Sequence, residues 1–165
     1  MSSCWIRTGS SSWRRRPENM FIQVEDSLNE GSYPRLLVFC AGFLRFGADV
    51  DQIDSLDPFD PDDPPRHAVP FHQAIGLGCS PPFRFPEVCT ISRGKDVCRL
   101  IIEAPEDIIC ADTRLLQPLP PLVAPFALRR GIWAALPDKR GILLALDPRR
   151  LATERNLWHT QGDIA

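Results

Sequence analysis

Six cysteines and three histidines are the residues of this 165-residue chain best suited to chemistry, and their spacing supports little of it. Cys4, Cys40, Cys79, Cys89, Cys98 and Cys110 include no CxxC pair, so neither a zinc knuckle nor a thioredoxin-like redox motif is indicated. His67 and His72 are five apart, which matches neither HExxH nor its intervening glutamate, and His159 lies near the end of the chain. No metal is expected. Cys79 with His72 is the one nucleophile and base pair on offer, since an adjacent base lowers a thiol pKa. No oxyanion hole or third orienting group is marked, and the chain is not expected to be an enzyme. Asp57, Asp60, Asp62 and Asp63 invite a calcium reading, because hard cations take several carboxylate oxygens. The segment lacks the glycine and closing glutamate of an EF-hand loop, and it reads as a solvated acidic loop. Gly76-Leu77-Gly78 has no third glycine and no GxxxxGK[ST] occurs, so no nucleotide cofactor is expected.

Bulk properties narrow the partners. A formal net charge of −2 gives no global attraction to nucleic acid or an anionic membrane. Trp13-Arg14-Arg15-Arg16 mixes a stacking ring with cations, but so short a cluster reads as a solubilising end. No run approaches the ~18 to 20 apolar residues that span a bilayer, so membrane insertion is not expected and the cytoplasm is the default compartment.

The elements that must position any site are strands. Seventeen prolines remove too many N–H donors for long helices. Arg35 to Leu56 reads as a hairpin turning at Ala41-Gly42, followed by an extended segment through Ile53. Val88 to Glu103 turns at Arg93-Gly94-Lys95-Asp96, and Ile132 to Leu146 turns at Pro137-Asp138-Lys139-Arg140-Gly141. Between the hairpins, Val69-Pro70-Phe71 predicts a short edge strand, His72 to Leu77 a helical turn, and Asp107 to Ala111 a strand. Leu115 to Pro121 predicts a connector broken by prolines, and the proline-rich stretch from Asp57 to Pro65 a surface loop. Asp147-Pro148 is a good helix start, predicting a short helix over Arg149 to Arg155 that packs Leu151. Cys40, Cys89, Cys98 and Cys110 fall in apolar runs and are expected to be small buried hydrophobes. Hairpins present edges that pair with other chains or need protection, which argues for a protein-binding module.

In order along the chain, these segments resemble the CheW-like domain of bacterial chemosensory adaptors. Leu37-Val38-Phe39, Gly42, Phe46-Gly47-Ala48 and Ile53-Asp54-Ser55-Leu56 follow the opening pattern of that family without a gap. Ala68-Val69-Pro70-Phe71 resembles its hydrophobic-Pro strand, Leu100-Ile101-Ile102-Glu103 its hydrophobic-Val-Asp segment, and Gln117-Pro118-Leu119-Pro120 its proline connector. Arg130-Gly131-Ile132 with Ile142 to Asp147 resembles its closing hairpin. The family's Asn-Leu-Arg-Gly segment is absent, and the acidic proline loop stands in its place.

The resemblance implies an all-β fold of two SH3-like barrel subdomains with a short C-terminal helix. It implies a flexible tail over residues 1 to 33, a domain over 34 to 152 with subdomains at about 34 to 80 and 86 to 147, and a C-terminal tail over 153 to 165. It also implies a noncatalytic adaptor without cofactors that docks to the regulatory domain of a CheA-like histidine kinase through an exposed strand at Ile53, Ser55 and Leu56. A chemoreceptor is the further partner it suggests. The alternative is a module of the same fold that has lost chemoreceptor coupling and binds another cytoplasmic protein.

Overall fold

Strand-forming residues begin earlier in the chain than the sequence reading places them. In the computed structural model, which describes residues 5–8, 12–15, 33–78, 82–153 and 159–160, β1 (Trp5–Thr8) pairs antiparallel with β2 (Ser12–Arg15). Two segments of the expected N-terminal tail therefore belong to a sheet. Trp, Ile and Thr favour strands, but each segment is only four residues long and shows no sustained period.

The chain continues through β3 (Arg35–Ala41), β4 (Leu44–Asp49), β5 (Ser55–Pro58), β6 (Ala68–Pro70), helix α1 (Phe71–Ala74), β7 (Pro86–Arg93) and β8 (Asp96–Glu103). It ends with β9 (Asp107–Cys110), β10 (Gln117–Pro118), helix α2 (Ala124–Arg129), β11 (Ile132–Asp138), β12 (Gly141–Leu146) and β13 (His159–Thr160). All three expected hairpins form, as β3–β4, β7–β8 and β11–β12. The helix expected from Arg149 is a 3-10 run, Pro148–Thr153, with Leu151 buried beneath it, and residues 154 and 155 lie outside the described residues.

These strands make two sheets, ordered β10-β11-β12-β4-β3-β9 and β13-β8-β7-β5-β1-β2, with β6 parallel to β8. The sheets do not divide the chain where the sequence places its boundary. Strands before residue 78 pair with strands after 86, β5 with β7 and β6 with β8. In the described chain, β5 to β8 form an excursion between β4 and β9, both of which belong to the first sheet. Pairing between strands distant in sequence cannot be read from local pattern.

The first sheet must curl. Laid flat, its outer strands β9 and β10 would stand about 24 Å apart, five spacings of ~4.8 Å. Yet residues 111 to 116 join them, and the 3-10 turn Thr113–Leu115 rises only ~2 Å per residue. The inner face closes on Leu36, Val38, Leu136 and Leu143, with Ala111 and Leu116 of the link packed onto the same cluster. Gly47 sits on that face because a Cβ there would stand 3.0 Å from both Leu36 Cδ1 and Leu143 Cδ2.

The outer face of the same sheet packs on the second through Phe39, Phe46, Ile91, Leu100 and Ile102. Phe71 of α1 wedges between the sheets, its ring edge-on at 4.9 Å to both Phe39 and Phe46. Cys89 and Cys98 are buried in this core, where burial pushes both thiols up, Cys98 to about 12. Cys40 and Cys110 depart from expectation, being half-buried and exposed. Cys40 lies near the hairpin end of β3 with its thiol on Glu106, and Cys110 is the last residue of β9.

Candidate functional site

Two of the three residues expected to dock a partner face inward. Asp49 caps a 3-10 turn at Val50–Gln52 by accepting from the Asp51 N–H, and the chain leaves that turn with Ile53 and Leu56 both 2% exposed in the main core. Ser55 is half-buried, its Oγ donating to Asp57 Oδ2 at 2.8 Å. Nor is β5 an edge, since β7 pairs along one side and Trp5 of β1 pairs with Leu56 on the other. Ile53 and Leu56 are core residues that hold the two sheets together, and neither is available as a contact.

Exposed apolar side chains gather instead where two hairpin tips lie side by side. Ala41 pairs with Leu44, leaving the two-residue turn Gly42-Phe43, and Gly42 takes φ +63 as the first position of a type II′ turn requires. This projects Phe43 fully into solvent. Because β4 and β12 run parallel with Arg45 opposite Leu143, Leu44 and Ile142 sit beside each other one step earlier. They are 40% and 66% exposed, so the tips present three adjoining apolar side chains on the barrel end.

A charged network stands beneath this patch. Arg45 donates through Nε and Nη2 to Glu106 Oε2 at 3.2 and 3.1 Å and through Nη1 to Asp138 Oδ2 at 2.5 Å. Arg140 reaches the same Glu106 oxygen at 3.2 Å, and the Cys40 thiol donates to Glu106 Oε1 at 3.2 Å. Burial alone would raise the Glu106 carboxyl. The bonds from Cys40 and Arg45, with the charges of Arg45 and Arg140, outweigh it and hold the group below the ordinary range. Asp138 is held low chiefly by its bond from Arg45. Burial and the facing Glu106 carboxylate push Cys40 up to about 11, which makes its thiol a poor nucleophile. The network ties the β3–β4 hairpin, the start of β9 and the β11–β12 turn into one rigid end.

The opposite end of the same sheet carries a groove of about 360 Å³. Pro34, Leu36, Leu146 and Trp133 supply its apolar walls, and Asp49, Gln52, Asp147 and Arg150 its polar rim. Trp133 is displaced outward by a register shift between Ile132 and Ala134, both buried, and is left 38% exposed. Gly131, at φ +72, makes that path possible at the end of α2, and its carbonyl accepts from the Asp147 N–H at 2.8 Å.

Among the described residues, those singled out for chemistry are not brought together. His72 lies on α1 with its ring 5.8 Å from that of Phe83 and its Nδ1 without a hydrogen-bond partner, while Cys79 lies outside the described residues. His67 is exposed in the loop before β6 at φ +60. Among the described residues no three His, Cys, Asp or Glu side chains converge as metal ligands do, and no helix is long and apolar enough to cross a membrane.

No family model matches the sequence, and no curated protein matches it. Among solved structures 11 chains match. One is the scaffolding protein TtCheW from Thermoanaerobacter tengcongensis, 13% identical, superposing with a TM-score of 0.54 over 72% of this chain and 91% of that one. The fold is therefore of the CheW type, all-β with two SH3-like β subdomains.

Proposed function

We propose that this protein is a noncatalytic cytoplasmic adaptor in a bacterial two-component chemosensory pathway, docking to the regulatory domain of a CheA-like histidine kinase through Phe43, Leu44 and Ile142. The observation that carries the reading is the apolar patch on paired hairpin tips in a fold shared with a scaffolding protein. A ring held by a two-residue turn between paired strands loses little freedom on binding, and burying it returns about 1.5–3 kcal/mol. The charged network beneath the patch fixes its shape before any partner arrives.

Phe43→Glu and Ile142→Glu test this directly. Each side chain is exposed, so each variant keeps the melting temperature of the parent, while affinity for the kinase regulatory domain falls at least about tenfold, equivalent to ~1.4 kcal/mol. Unchanged affinity in both folded variants refutes the assignment of this surface.

One observation favours a second reading for the chemoreceptor. The chain passes from β5 to β6 through an exposed loop bearing Asp60, Asp62 and Asp63, with no Asn-Leu-Arg-Gly segment. This supports an adaptor that has exchanged the chemoreceptor for another cytoplasmic partner. A pull-down with a chemoreceptor signalling domain separates the two readings.

A further inference from the structure

We infer that the Trp133 groove is a second docking site, built to take an arginine side chain presented by a partner protein. The inference does not rest on the kinase assignment, since it concerns the other end of the barrel. Three features of the groove converge on a cation with a hydrocarbon stem.

The first is the half-exposed indole of Trp133 beside the aliphatic walls of Leu36 and Leu146, a surface on which a planar guanidinium stacks and an alkyl stem packs. The second is charge. Asp147 is paired with Arg150 at 3.2 Å, but Asp49, on the same rim, has no cation within salt-bridge distance among the described residues. The groove is thus one negative charge out of balance. The third is preorganisation. Asp49 accepts from the Asp51 N–H at 3.0 Å and from Gln52 Nε2 at 3.4 Å, and Asp147 accepts from the Arg149 N–H at 3.2 Å. Both carboxylates are held by the local backbone before a ligand binds.

An arginine suits this arrangement better than a lysine, because its flat fork can lie on the ring while it donates to a carboxylate at the rim. The volume of about 360 Å³ and open mouth suit one inserted side chain, with the rest of the partner covering the surface around it.

The four tryptophans give one indole N–H signal each in a nitrogen-15 correlation spectrum, and Trp133→Phe identifies the relevant one. Titration with N-acetyl-arginine N-methylamide should shift the Trp133 signal saturably, with a roughly millimolar dissociation constant expected of a single side chain. The neutral isostere N-acetyl-citrulline N-methylamide should not. Asp49→Asn retains the capping oxygen and removes the charge, so the variant stays folded and binds the probe roughly three- to fivefold more weakly. Phe43→Glu should leave this titration unchanged, which separates its outcome from that of the kinase experiment. The inference is overturned by the absence of a saturable shift, by equal binding of the citrulline probe, or by an unaltered constant in Asp49→Asn. Guanidinium ion binding as tightly as the arginine probe also overturns it, by showing a site for a small free cation that gains nothing from the side-chain stem.

Discussion

Replacing Gly131 with alanine should damage this protein far more than the same change at Gly94, although both residues have positive φ. Gly94, at φ +64 in the β7–β8 turn, has open space where a Cβ would go. Gly94→Ala therefore costs only the left-handed backbone conformation, about 1–2 kcal/mol. Gly131, at φ +72, carries the same conformational cost, but its Cβ would stand 2.5 Å from the Asp147 carbonyl oxygen. That oxygen is not free to retreat. It accepts from the Arg150 N–H at 3.0 Å, while the Asp147 N–H donates to the Gly131 carbonyl at 2.8 Å. Opening the contact to ordinary separation moves backbone by nearly an ångström in packed surroundings, which adds about 1–3 kcal/mol as overpacking does. Urea denaturation followed by circular dichroism should therefore place Gly131→Ala roughly 2 kcal/mol below Gly94→Ala, a melting temperature about 4–8 °C lower for a chain of this size. Equal destabilisation would show that the approach of β11 to the 3-10 run is loose, and with it the support of the Trp133 groove.

Three further outcomes follow from burial and charge. Ile53→Asp places a carboxylate in the core at a 2% exposed position and should abolish cooperative folding, seen as loss of the thermal transition; a folded variant that merely fails to bind a kinase would return Ile53 to the surface. Arg45→Met strips Asp138 of its cation and leaves Glu106 with Arg140 alone, and should cost ~2 kcal/mol at pH 7. Both carboxyls have folded pKa values below their unfolded ones, so the stability they contribute is present above the unfolded pKa near 4 and lost as pH falls through the folded values. Parent and variant should therefore converge progressively in denaturation curves taken as the pH falls below about 4. Among the four described cysteines, iodoacetamide labelling at pH 8 with peptide mass mapping should modify exposed Cys110 first, Cys40 slowly because its thiol titrates at about 11, and Cys89 and Cys98 only on unfolding.

The hairpins were legible because each needs only neighbours in sequence. An apolar run, a glycine turn and a second run define β3–β4, β7–β8 and β11–β12 whatever surrounds them. The docking strand was not legible. Ile53 and Leu56 are three apart across the exit of a 3-10 turn, and only the second sheet shows that both side chains turn inward. Cys40 and Cys110 lie in runs as apolar as those of Cys89 and Cys98, yet near the strand ends Cys40 is only half-buried and Cys110 is exposed. Helix α2 was missed for a different reason. Its six residues, APFALR, are too few for a period, and Pro125 suits a turn as well as a first helical position. The Phe43 patch did carry a local signal, since a glycine turn followed by Phe-Leu places an apolar pair at a hairpin tip. The groove carried none, because Asp49, Trp133 and Arg150 meet only after β11 and β12 have returned to β4.

The two surfaces stand at opposite ends of one sheet for a topological reason. In an antiparallel meander, tips alternate between ends; here β4 and β12, the second strands of their hairpins, are parallel neighbours. Both tips therefore fall at the start of these strands, and both strand exits, at Asp49 and Leu146, fall at the other end. Five steps from Leu44 to Asp49 at ~3.3 Å each separate the ends by about 17 Å. A standard interface takes roughly 800 Å² from each partner, a disc about 16 Å in radius, so two partners on one face would collide while two on opposed ends need not. The strands between them are also poor conductors of conformational change. Gly47 lies midway with Leu36 and Leu143 against it, and a packed core that close yields little to a displacement at either end. Were both proposed surfaces occupied, this body would hold the two partners apart while passing little strain between them. The parallel β4–β12 pair, set by chain topology and by no reactive side chain, is the feature that supplies that separation.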